Sequence, residues 1–185
     1  VVQIDDDGAL LGRALRMGFW GLVFHAIFGL ALGLFGGWSA AGMAAVKLPM
    51  IALCSMLLCF PSMYVFACVG GMSLSVPQAA ALAGAILAVT GLLLLALAPV
   101  AWLFVVSTNN LSFVVLLTLL IWLVASGFAR GFLSRLKTSV NLSRLTGLNW
   151  WLVIYLLVTW QMTTFLRPLL GLSADGWWTG EKMFF

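Results

Sequence analysis

The chain has 185 residues, of which 64% are hydrophobic and 8% charged, where an average soluble domain is near half apolar and about a quarter charged. A water-soluble globular fold could not cover that much apolar surface, so the composition points to a membrane protein. The net charge of +4 comes from nine Lys and Arg against five Asp and Glu; these cations stand between apolar runs, where they act as topology signals, and no nucleic-acid partner is expected.

The apolar runs set the expected elements in chain order. Residues 1–16 begin polar, with Asp5, Asp6 and Asp7, and end in Arg13 and Arg16, which makes a short aqueous leader. The apolar run beginning near Ala14 is too long for a cleavable signal peptide. A first membrane helix is predicted over residues 17–37, with Trp20 and Trp38 near its ends at headgroup level. A second is predicted over 48–70, where Pro49 suits the first turn and the interior Pro61 should kink it. The break from Gly70 to Gln78 is rich in turn formers, and Pro77 opens a third helix over 78–106, with Pro99 near its end. Ser107-Thr108-Asn109-Asn110 forms a polar turn into a fourth helix over 112–133. Residues 134–148 carry Arg135, Lys137 and Arg144 beside Leu136 and Val140 at helical spacing, an interfacial amphipathic segment. A fifth helix over 150–170 opens on Trp150-Trp151 and closes on Arg167-Pro168, and Trp177-Trp178 in the tail are again interfacial.

The expected fold is therefore an all-α polytopic bundle of about five transmembrane helices, one transmembrane domain over residues 1–185. With five crossings, Arg13, Arg16, Arg130, Arg135, Lys137 and Arg144 fall on one side and Lys47, Arg167 and Lys182 on the other. Positive flanks stay inside, so the N-terminus is expected in the cytoplasm, and a bacterial inner or intracytoplasmic membrane is the expected location.

The most specific pattern is a seam on the first helix: Gly21, His25, Gly29, Gly33 and Gly37 recur every fourth residue, with Gly18 one turn before. Small residues let helix backbones approach closely in lipid, so the first expectation is helix packing with His25 donating a hydrogen bond to a neighbouring helix. The second is a flat ligand over the glycine floor with His25 as axial ligand, a chlorin pigment needing only one such ligand and a bis-His haem two. Proton relay from His25 is not expected, because the apolar runs hold no Asp or Glu. Ala80, Gly84, Ala88 and Gly91 form a second small-residue ladder, on the third helix. Gln161, Thr163, Thr164 and Arg167 near the end of the fifth helix would suit a solute path, or Arg167 could simply snorkel. Cys54, Cys59 and Cys68 lack a C-x-x-C spacing and are read as small buried hydrophobes, with no metal site. No nucleophile–base pair or phosphate loop is present, so no enzymatic activity is expected.

Lys47-Leu48-Pro49, an apolar run, Gly70-Gly71, the Ser73-x-Ser75-x-Pro77-Gln78 break and a further apolar run containing Pro99 together resemble a pattern in uncharacterised bacterial multi-pass proteins. Over about residues 47–103 the pattern is also similar to the Yip family of five-helix membrane proteins. The resemblance implies a five-helix fold with a cytoplasmic N-terminus and a membrane-organising role. From the residues themselves, the leading expectation is a non-catalytic accessory or scaffold subunit that docks with other integral membrane subunits of a bioenergetic or photosynthetic complex. The alternative is a small homo-oligomeric transporter or channel.

Overall fold

The computed structural model describes residues 2–69, 75–108, 110–139 and 146–165. These form five α-helices: α1 Val2–Gly33, α2 Trp38–Val69, α3 Val76–Ser107, α4 Leu111–Ser139 and α5 Thr146–Phe165, with a 3-10 turn at Leu34–Gly36 between the first two. Four stretches are long and apolar enough to cross a membrane, Gly8–Gly36, Trp38–Val69, Val76–Ser107 and Ser112–Phe132, while the apolar part of α5, Trp150–Thr163, is shorter. The chain is an integral membrane protein of the all-helical class.

Local chemistry explains where the helices begin and end. Gly37 has φ 90°, a left-handed conformation that glycine adopts without a Cβ clash, and this lets the chain reverse between α1 and α2. The N–H of Ser75 donates to Gln78 Oε1 at 3.1 Å, which with Pro77 starts α3. Asn110 Oδ1 accepts from the N–H of Ser112 at 3.0 Å and caps α4. Pro49, Pro61 and Pro99 all lie inside continuous helices. In an apolar medium every other backbone group favours the helix, and that outweighs the bond each proline removes.

Three boundaries differ from the sequence expectations. The leader is helical, since α1 starts at Val2 and Ala14 is already buried against α3. α2 starts at Trp38 rather than at residue 48, which places Lys47 inside the helix and not on an external flank. At the segment read as interfacial, α4 runs on to Ser139 and α5 begins at Thr146, while 140–145 lie outside the described residues.

Contacts between glycine-lined faces set the directions. Gly84 meets Ala14 and Gly91 meets Gly21, so α1 and α3 run parallel; Gly29 meets Ala44 and Gly33 meets Ala41, so α1 and α2 run antiparallel. Trp151 reaches Cys59 and Gly147 faces Phe66, which makes α5 antiparallel to α2. The Phe104 and Phe113 rings lie 5.7 Å apart across the turn joining α3 and α4. The helices thus form an open ring in the order α5, α2, α1, α3, α4, and its thinnest contact is between α4 and α5. Two apolar cores stack along the bundle axis. One is built on Met56, Met63, Ile86 and Trp151, the other on Phe28, Leu32, Leu94 and Ile121.

Candidate functional site

Two places combine polar chemistry with a formed structure: the helix crossing around His25, and a groove between α3, α4 and α5.

At the crossing, the glycine seam of α1 serves two neighbours. Every fourth residue advances about 40° around a helix of 3.6 residues per turn, so from Gly21 to Gly33 the seam rotates by about 120°. Gly21 therefore faces α3, where a Cβ would lie 2.6 Å from the Leu87 carbonyl oxygen and 2.9 Å from Ala88 N. Gly29 and Gly33 face α2, where a Cβ would lie 2.5 Å from Ala44 O and 2.5 Å from the Ala41 Cα respectively. Gly18 opens on empty space, and Gly37 has left the helix. From the other side, Gly84 meets Ala14 O, and Gly91 meets both Gly21 O and the His25 ring. Ala80 and Ala88 are half-buried one turn from these contacts.

His25 is 1% exposed and donates from Nδ1 to Gly21 O at 2.7 Å, within its own helix and not to a neighbouring one as the seam suggested. That bond directs the ring toward Gly91, whose missing side chain makes room for it. The floor that could have held a flat ligand is filled: α3 backbone covers Gly21 and α2 backbone covers Gly29. A macrocycle lying on this floor would have to separate helices whose backbones already touch.

Lys47 lies in the same buried stripe of α2 as Ala44, Leu48 and Ile51 and is 1% exposed. From Trp38 to Lys47 the helix rises about 14 Å, so this cation enters the bundle interior from the end opposite Arg13 and Arg130. Nothing in the run length marked it, because an ammonium beside an apolar stretch reads equally well as a flank. Ser55 is also buried, and its hydroxyl has no hydrogen-bond partner. The hydroxyls of Thr90 and Thr159 are bonded within their own helices.

The groove has a volume of about 270 Å³. Its walls include Ile86 and Thr90 of α3, Leu123, Ser126 and Arg130 of α4, and Tyr155 of α5. It exists because α4 leans on α3 and barely meets α5. On α4, Gly127 lines this groove and Gly131 stands one turn further on, and each has open space where a Cβ would stand. The spacing Gly127-x-x-x-Gly131 is a small-residue signal that went unused beside the seams of α1 and α3.

Of the polar set on α5, Thr163 Oγ1 donates to Thr159 O at 2.9 Å and Gln161 is exposed. The Thr164 side chain and Arg167 lie outside the described residues. The three cysteines are free and differ in exposure, Cys59 being buried and Cys68 exposed. Among the described residues no three His, Cys, Asp or Glu side chains come together as a metal site would need.

No family model, curated protein or solved structure matches this chain.

Proposed function

We propose that this protein is a non-catalytic subunit of a larger membrane assembly, joined to a neighbouring subunit through the exposed glycine face of α4. The observation that carries the reading is the pair Gly127 and Gly131, four residues apart on a membrane helix, with nothing within 4 Å of either Cβ position. Lipid tails are as apolar as leucine, so helices associate in a bilayer through close packing, and paired small residues permit that approach. The buried glycines of this chain are each covered by a helix backbone, whereas Gly127, at the groove, and Gly131, like Gly8 and Gly12 on α1, meet nothing within 4 Å. Extraction in mild detergent is expected to recover unlike chains at fixed stoichiometry, and Gly131→Leu should strip them while leaving the unfolding of the chain itself unchanged. Recovery of the same partners with Gly131→Leu would sink the reading.

A second reading, a homo-oligomeric transporter or channel, is favoured by Lys47, since a cation buried among membrane helices often marks a solute or ion path. Self-association with no unlike chain would support it over the first.

The orientation proposed is N-terminus inside, because Arg13, Arg16, Arg130 and Arg135 gather at one end of the bundle. Cysteines introduced singly as Gly12→Cys, Ser134→Cys and Ser39→Cys, in a chain lacking Cys54, Cys59 and Cys68, report the side of each exposed position. The first two should label only after the membrane is opened and the third from outside. Labelling of Ser39→Cys from the same face as Gly12→Cys would reverse or break the topology.

A further inference from the structure

We propose that the groove between α3, α4 and α5 binds one anionic phospholipid, its phosphate on Arg130 and one acyl chain running along α4 toward Leu123. The groove lies at the thinnest contact of the helix ring, beside exposed apolar residues of α4, and so opens toward the surrounding hydrocarbon. Lipid is the ligand that reaches it there. Its walls are mostly apolar, interrupted by the hydroxyls of Thr90, Ser126 and Tyr155 and by Arg130 at one end, and no carboxylate lines it.

The charged end has the position a headgroup needs. Arg130 lies two residues inside the end of the apolar stretch Ser112–Phe132, about 3 Å along the helix axis, while Leu123 lies about 10 Å deeper. Of the hydroxyls that line the groove, Ser126 and Thr90 donate to Trp122 O and Ile86 O of their own helices, and that of Tyr155 is hydrogen-bonded to the Thr159 side chain. That leaves the exposed Arg130 guanidinium as the strong donor at the site, and a guanidinium fork matches two phosphate oxygens. The apolar wall cannot itself select a lipid, because a tail gains little on leaving other tails. Selection must therefore come from charge; resting on the proposed orientation, the cationic end lies in the inner leaflet and meets the anionic lipids concentrated there.

Spin-labelled phosphatidylglycerol and phosphatidylcholine with the same acyl chains, added to the full chain in vesicles, count the lipids held by the protein and their relative affinity. The wild type should favour phosphatidylglycerol at this site about fivefold, the scale of one cation near a membrane surface. Arg130→Gln should bring the ratio close to one without changing the number of lipids held. Ser126→Phe should fill the groove and remove one held lipid of either headgroup. Arg135→Gln, exposed and outside the groove, should keep the preference. The proposal is overturned if the wild type shows no preference, if Arg130→Gln retains it, if Arg135→Gln abolishes it equally, or if Ser126→Phe holds as many lipids as the wild type.

Discussion

Gly91→Leu is expected to separate α1 from α3 and lower the stability of the bundle by about 3 kcal/mol, the upper end of the range for overpacking. A Cβ at this position would lie 2.5 Å from Gly21 O and 3.1 Å from His25 Nδ1. The first obstacle is backbone and cannot yield without moving the whole helix. The second is an imidazole held by its bond to Gly21 O, so turning it aside forfeits a buried hydrogen bond as well. Gly18→Leu is the matched control, because Gly18 belongs to the same sequence seam yet meets nothing within 4 Å. It should unfold within about 0.5 kcal/mol of the wild type, as surface changes usually do. Reversible unfolding in mixed detergent micelles measures both. Equal effects of the two substitutions would mean that Gly91 is not the crossing point.

Trp151→Ala should be nearly as damaging, at about 3 kcal/mol, the lower end of the cost of deleting a buried aromatic ring. Trp151 is fully buried, stacks on Tyr155 with centroids 5.5 Å apart, and donates from Nε1 to Cys59 O at 2.9 Å. It is the main anchor of α5 on α2. The lower end applies because lipid is itself apolar, which reduces the transfer part of the loss and leaves the cavity and the lost packing contacts. Trp151→Phe keeps most of the ring and should cost about 1 kcal/mol, since Cys59 O still accepts from Ser62 Oγ at 2.8 Å. The same unfolding measurement should rank alanine well below phenylalanine. If both variants match the wild type, α5 is held by something other than this side chain.

The glycine seam shows how far a single helix can be read. A four-residue repeat on α1 identifies the positions that can approach another backbone, and its rotation follows from helix geometry alone. Which neighbour each position meets does not follow, since that depends on the order of helices around the ring. Gly21 meets α3 and Gly29 meets α2, while Gly18, equally small and in register, meets nothing. Lys47 illustrates a second gap. Hydropathy measures where apolar residues run, whereas α2 extends through ten further residues of mixed character because Gly37 turns the chain directly back onto α1.

By itself, then, the amino-acid order determined the all-helical membrane class and the small-residue positions, because length, apolarity and periodicity are local properties that lipid enforces on each helix separately. Tertiary structure alone decided that His25 lies under Gly91, that Lys47 is buried, and that Arg130 borders a groove. Each of these depends on a contact, or a missing contact, between helices far apart in the chain, and so on how the five apolar rods arrange around one another.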